Sequence, residues 1–256
     1  MKITVITVCW NSSATIEACL QSVFSQSYKD IEYIVIDGGS TDGTVEILQK
    51  YTDKISLLVS EPDSGIYDAM NKGLRRATGD YVGFLNSDDV YHSAESVAFI
   101  AQAAMSESKP EAIYGDLVYT DKHNVDNIIR YWRSGEFSQD KLRFGWMPPH
   151  PTLYVRKNLL QSLGGFDVQY RISADYDFIL RFFLQAPRIV FYVPKIIVSM
   201  RLGGASNQSL RSLWKKSRED LRAIRNNRVG GLGVLMFKNL QKIPQFILLN
   251  KTLKHQ

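Results

Sequence analysis

The chain has 256 residues, 45% hydrophobic and 22% charged, enough to bury a sizeable core in one large domain or two small ones. Its formal charge of +5 conceals an asymmetry: residues 209–256 hold eleven of the 31 Lys and Arg but only Glu219 and Asp220 among the acids. A slightly acidic body, at −4, therefore ends in a basic tail at +9. No uncharged apolar run reaches the roughly 18 to 20 residues that span a bilayer. The N-terminus enters a strand pattern at once, without the apolar core and cleavage site of a signal peptide. Cys9 and Cys19 are the only cysteines; they read as buried thiols in a reducing compartment, not as a disulfide framework.

Residues 3–9 (ITVITVC) form a near-continuous β-branched run, the pattern of a buried parallel strand. Asn11, Ser12 and Ser13 supply capping side chains. Ile16, Cys19, Leu20, Val23 and Phe24 then mark one stripe of an amphipathic helix. Strands are expected at 31–36, 55–59 and 80–85, with helices after Gly43 and from Tyr67 to Ala77. This alternation predicts βαβ units with right-handed crossovers and a mostly parallel sheet. Beyond Asp89 the rhythm loosens. A helix at 94–106, a strand at 112–119, an antiparallel addition at 126–133 and a proline-rich loop at 145–151 are expected next. A short strand at 152–156, a helix at 157–163, a helix at 175–185 and strands near 189–193 and 196–200 complete the body. Residues 1–208 thus read as one α/β domain and 209–256 as a separate helical tail.

In an open α/β sheet, ligands bind beyond the carboxyl ends of the strands. Three acid-bearing loops lie there: Asp37 after the second strand, Glu61 and Asp63 after the third, Asp88 and Asp89 after the fourth. Acids gathered without compensating cations repel one another, and a divalent cation or a donor-rich ligand relieves that repulsion. The bland alternative is that each acid caps its own helix or turn. The loop Gly38–Gly43 matches neither phosphate-loop pattern, since Ser40 stands where a second glycine would fall. The four histidines show no zinc spacing, and no G-x-S-x-G elbow is present.

Taken together, ITVITVCWN (3–11), IVIDGGSTDGT (34–44), SEPDSGIYDAMNKGLRRATGDYVGFLNSDD (60–89), HPTLYVRKNLLQSLGGFD (150–167) and ISADYDFILR (172–181) resemble a family 2 glycosyltransferase of the GT-A fold. The resemblance covers about residues 2–205 in the family's order. It implies a Rossmann-like central sheet and inverting transfer of a sugar from a nucleoside diphosphate sugar, assisted by Mg²⁺ or Mn²⁺. Thr7, Trp10 and Asn11 then belong to the first donor-binding loop, and Asp37 and Asp63 to the nucleoside site. Asn86-Ser87-Asp88 matches the D-x-D signature, with Asp88 as metal-binding acid and Asp89 supporting the loop. Lys72 and Arg201 are candidate diphosphate contacts, Arg201 within a flexible loop over 200–206. Asp175 matches the late acid that serves as general base, with Asp177 as the fallback. Two positions depart from the family pattern: Asn86 replaces the first Asp of D-x-D, and Ala174 replaces the Glu that commonly precedes the base. His150, between Pro149 and Pro151, has both a structural and a substrate-binding reading.

The tail also has two readings. Cations interleaved with Leu and Trp over 209–228 suit an amphipathic helix on an anionic membrane surface, near a lipid-linked acceptor. The alternative to this favoured reading is a helical hairpin packed on the body with a solvated basic face. Nucleic acid is not an expected partner, because the body is net acidic and lacks a recognition motif. The leading expectation is a cytoplasmic or inner-face peripheral enzyme building a surface polysaccharide or glycolipid. A non-catalytic nucleotide-sugar or glycan-binding module is the alternative.

Overall fold

The structure is a computed structural model and describes residues 1–185, 189–203, 210–241 and 245. Strand β1 (Ile3–Cys9) is buried along its whole length, as its unbroken apolar run requires. Helix α1 (Ile16–Phe24) buries Ile16, Cys19, Leu20 and Val23, the stripe its spacing predicts. There follow β2 (Ile31–Asp37), α2 (Thr44–Gln49), β3 (Leu57–Ser60), α3 (Ile66–Arg76) and β4 (Tyr81–Phe84). Strands β1 to β4 pair in parallel, in the order β3-β2-β1-β4. Their carboxyl ends therefore open on one edge.

The second half extends the sheet through β5 (Val90–Tyr91), α4 (Ser96–Ala104), β6 (Ala112–Thr120) and β7 (Ile128–Trp132). After α5 (Gln139–Leu142) and a 3-10 turn at His150–Thr152 come β8 (Tyr154–Arg156), α6 (Lys157–Ser162), α7 (Ala174–Leu184) and β9 (Val190–Arg201). Strand β8 lies antiparallel between β4 and β6, so β6 runs the same way as β4, and β9 pairs in parallel with β6. Thr120 and Arg201, adjacent at the ends of β6 and β9, thus reach the same edge as the acidic loops. The antiparallel addition is β7 on β6. Where two strands are expected at 189–200, there is one 12-residue strand. Register shifts against Asp116 absorb Pro194, which has no N–H to give to a ladder.

Two apolar cores cover the sheet faces. One gathers Cys19, Leu20, Val97 and Ile100 from α1 and α4; the other gathers Met70, Leu74, Phe178, Phe182 and Phe183 from α3 and α7. Both cysteines are free and buried, and burial pushes the Cys19 thiol up to about 12.

The described part of the tail forms helices α8 (Leu210–Asn226) and α9 (Leu232–Leu240), and Ala223, Ile224, Val229 and Val234 join the second core. Lys238 and Asp220, 8% and 3% exposed, pair at 2.8 Å, with the ammonium 3.3 Å from the centre of the Tyr176 ring on α7. Burial pushes the Lys238 ammonium down while Asp220 draws it back. Gly145 packs so closely that a Cβ there would lie 2.6 Å from the Lys238 main chain. The packed-hairpin reading therefore holds for residues 210–241. The expected helix break at Pro244 lies outside the described residues.

Removing one partner of a buried pair strands the other charge. Lys238→Ala is expected to lower unfolding free energy by roughly 3–5 kcal/mol, read by urea denaturation. Exchanging both Lys238 and Asp220 for Met and Leu should restore most of it.

Candidate active site

The loops after β1 and β2 are stitched together. Asn11, with φ 49°, donates its N–H to Ser40 Oγ at 2.8 Å and accepts from the Thr41 N–H at 2.9 Å. Ser12 Oγ meets Ser87 Oγ at 2.9 Å, tying this pair to the loop after β4. Trp10, 67% exposed, stands on the rim. Thr7 does not. Its side chain is fully buried toward α1, where its hydroxyl lies 3.0 Å from the Tyr33 phenol. The expectation that Thr7 meets the donor is corrected: on a strand buried on both faces, its polarity serves the core.

Asp37 is buried with both oxygens occupied. Oδ2 accepts from the Gly39 N–H, the Ser40 N–H and the Ser60 hydroxyl, and Oδ1 from the Ser40 hydroxyl. Burial works to raise its pKa, but these donors outweigh burial and hold the carboxyl below the ordinary range. Asp37 organises this loop, with Oδ2 taken by three donors and Oδ1 by the Ser40 hydroxyl. Asp63 is half-buried. Its Oδ1 accepts from the Gly65 N–H at 2.7 Å, and its Oδ2 lies where a Cβ on Gly38 would sit. Lys72 pairs with Glu61 and donates to the Pro62 carbonyl, each at 2.9 Å. In this structure its ammonium braces the loop at 61–63.

At the end of β4, Asn86 donates to Asp89 Oδ2 at 3.0 Å, so its side chain turns inward to the loop. Asp89 is fully buried, and its Oδ1 is without a hydrogen-bond partner. Burial, then the charge of Asp88, pushes its carboxyl well above the usual range, partly offset by Asn86 and Arg201. Burial raises Asp88 too, with Arg201 acting against it. Arg201 Nη1 donates to the Asp88 carbonyl at 2.7 Å, so the end of β9 meets the end of β4. The expected loop continues past Gly203 outside the described residues.

Asp175 sits in the first turn of α7 and accepts from the Tyr67 hydroxyl, whose oxygen is 3.0 Å from Oδ1 and 2.6 Å from the Ile172 carbonyl. His150 is buried beside it, stacked on Phe84 and edge-on to Phe166. Burial pushes this imidazole down while the charge of Asp175 acts the other way. Asp177 lies elsewhere, bound to Arg181 at 2.8 Å and Asn227 at 2.9 Å. It has no part in the opening, so the fallback base is set aside. Tyr119, pushed up by burial and drawn down by Arg130, feels the charges of both Asp89 and Asp175. Asp175 acts on His150 as well, and that ring stacks on Phe84, the last residue of β4.

Sequence reasoning missed the Tyr119–Arg130 stack, 3.6 Å from guanidinium carbon to ring centre. It also missed Asn71, which clamps the Phe166 main chain from both sides at 2.9 and 2.8 Å. Only the cross-strand register Tyr119–Arg130 could have signalled the first. A surface cavity of about 540 Å³, lined by Met1, Asp80 and Arg156 among others, opens at the opposite, amino-terminal ends of the strands.

The sequence model "Glycosyl transferase family 2" matches residues 4–159. The chain belongs to that family. It is 33% identical over 201 residues to a PGL/p-HBAD biosynthesis glycosyltransferase of Mycobacterium bovis, covering 77% of this chain and 76% of the relative. It is 33% identical over 184 residues to an uncharacterized glycosyltransferase of Mycobacterium tuberculosis, covering 70% and 68%. Among solved structures, S. aureus TarS in complex with UDP-GlcNAc superposes with TM-score 0.69 at 20% identity, over 90% of this chain. The match spans 66% of that TarS chain, just under two thirds. The mannosyltransferase PcManGT of Pyrobaculum calidifontis, in complex with GDP-Man and Mn²⁺, gives 0.67 at 19% identity, over 100% and 76% of the two chains. These neighbours share the GT-A fold, and the mostly parallel sheet with its flanking helices is that fold.

Family membership draws attention to the two carboxylates of α7, whose environments separate their roles. Asp177→Asn is expected to cost about 1–3 kcal/mol of stability, the penalty for disrupting buried hydrogen bonds, with turnover retained. Thermal unfolding beside an activity assay checks both.

Proposed function

We propose that the chain is an inverting, cation-assisted glycosyltransferase, moving a sugar from a nucleoside diphosphate sugar to a hydroxyl acceptor. The observation that carries this reading is the meeting of Asp88, at the end of β4, with Arg201, on the edge where Phe84, the last residue of β4, stacks on His150 beside Asp175. The nucleoside lies over the loops after β1 to β3. Trp10 offers a face for stacking there, Asp63 a carboxylate oxygen, and Asp37 holds the loop's shape from beneath. Arg201 places positive charge beside the diphosphate.

The donor set suits a divalent cation. Asp88 is half-buried at the opening and Asp89 has an unpartnered oxygen, while no cluster of three metal-binding side chains occurs among the described residues. Mg²⁺ and Mn²⁺ accept such sites, with one or two carboxylates and the rest of the shell from phosphate and water. When bound, the cation would neutralise charge growing on the departing diphosphate. Asp88 is the proposed ligand. Asn86, turned toward Asp89, is not.

Asp175 takes the proton from the acceptor hydroxyl as that oxygen attacks the anomeric carbon. The bond from carbon to the diphosphate oxygen breaks, and its electron pair leaves with the diphosphate. A single displacement inverts the anomeric centre and needs no protein nucleophile. The Tyr67 hydroxyl orients Asp175, and the Phe84–His150–Phe166 cluster excludes water from beneath it.

The hairpin supports a membrane-facing acceptor. No helix among the described residues is long and apolar enough to cross a membrane. Yet Leu232, Met236 and Leu240 form one exposed stripe on α9, and Leu213 and Trp214 are exposed on α8 with Lys215 and Arg218. That combination fits an anionic lipid surface bearing a lipid-linked saccharide. Flotation with vesicles containing anionic lipid should recover the protein, and Trp214→Ser combined with Met236→Ser should abolish recovery. Recovery unchanged by these substitutions would count against the lipid contact.

UDP or GDP with Mn²⁺ should raise the melting temperature, corresponding to about 2.7 kcal/mol at a hundredfold excess over the dissociation constant. Asp175→Asn should keep that shift while kcat falls roughly 10²–10⁴-fold, the usual contribution of a positioned base. Wild-type turnover in Asp175→Asn would overturn the base assignment.

A further inference from the structure

Three consecutive main-chain N–H groups, those of Arg171, Ile172 and Ser173, converge on one oxygen of Glu219 at 3.0, 2.8 and 3.1 Å. Glu219 belongs to α8, in the tail; the three amides belong to the turn that enters α7, two residues before Asp175. The turn lacks internal support at this point. Ser173 occupies the N-cap of α7 but makes no side-chain capping bond, and its hydroxyl is buried without a partner. Successive N–H groups pointing one way form an anion-binding concavity, and a helix N-terminus adds a favourable field. Glu219 fills that concavity from another element. Its neighbour Asp220 is locked to Lys238, 2.8 Å away, so the backbone that presents Glu219 is fixed in place.

The same turn touches both halves of the opening. The Ile172 carbonyl accepts from the Tyr67 hydroxyl, which also lies within hydrogen-bond distance of Asp175. Arg171 Nη1 donates to the Ser64 carbonyl, in the loop after β3 that carries Asp63. A shift of residues 171–173 would therefore move the group that orients Asp175. We infer that Glu219 is a positioning residue for the base Asp175, acting through the 171–173 turn and Tyr67, and that the C-terminal hairpin is a working part of the active site. This rests on the reading of Asp175 as general base.

The test is a double-mutant cycle on the full chain. The donor is the nucleotide sugar that gives the largest thermal shift, and turnover is read as release of its nucleoside diphosphate. Glu219→Ala is expected to lower kcat roughly 10- to 100-fold, while the thermal shift given by UDP or GDP with Mn²⁺ changes by less than about twofold in dissociation constant. Glu219→Gln retains an acceptor oxygen and the side-chain shape, so it should recover much of the loss and serves if the alanine variant unfolds. In the Asp175→Asn background, Glu219→Ala should add little further loss, since the group it positions is already gone. A full, multiplicative loss in that background, or kcat within twofold of wild type in folded Glu219→Ala, would overturn the inference. Failure of the base reading itself shows separately, as wild-type turnover in Asp175→Asn alone.

Discussion

The central constraint is the burial of two adjacent carboxylates at the end of β4. Asp89 is fully buried and Asp88 half-buried, burial raises both carboxyls, and the charge of Asp88 raises Asp89 further. Such an arrangement is costly unless something offsets it. The chain supplies part of the compensation through Asn86, the Arg201 main chain and the Arg201 guanidinium, and leaves one oxygen of Asp89 without a partner. A site that is electrostatically incomplete on its own gains most from a cation with a diphosphate. Sheet topology concentrates the effect. Six strands point the same way, and their loops meet at one edge.

The other acids show the opposite arrangement. Asp37 accepts from the Gly39 and Ser40 N–H groups, the Ser40 and Ser60 hydroxyls and the Cys9 thiol, Asp68 accepts from the Ser64 N–H, and Asp177 is divided between Arg181 and Asn227. Asp116, buried under β7, accepts from Tyr131, Tyr192 and the Ser134 N–H. These carboxylates hold loops and strands in place. Asp63 and Asp175 have fewer protein donors, the Gly65 N–H and the Tyr67 hydroxyl respectively. In the proposed function, architecture and chemistry differ in how many intramolecular donors each acid already has, which type or position alone does not reveal.

This explains what could be read in advance. The strand–helix rhythm of the first half was legible because burial on both faces leaves unbroken apolar runs. The separation of Asp175 from Asp177 was legible in part, since residues two apart point about 200° away from one another around a helix. The inward turn of Thr7 was not, because a strand covered on both sides shows no alternation. Nor was the bracing role of Lys72, which depends on where a loop ten residues earlier folds back. The tail's amphipathic pattern was ambiguous for a physical reason: packing on a protein and lying on a lipid surface both require one apolar face. Long-range pairs such as Lys238–Asp220 settle which surface is covered, and periodicity carries no information about them.

Packing on the body leaves the hairpin a second, outer side. Its inner side contributes Ala223, Ile224 and Val234 to the core around α7, and its outer side leaves Trp214 and Met236 in solvent, 65% and 64% exposed. A segment gripping α7 from one side while exposing an apolar, cationic surface on the other is mechanically continuous with the helix that carries Asp175. Contact at the outer surface would therefore bear on an element whose far end sets the geometry of the 171–173 turn. Because packed interiors transmit displacement and do not absorb it, movement at the outer surface of the hairpin would reach the 171–173 turn through α8, Glu219 and the amides it holds.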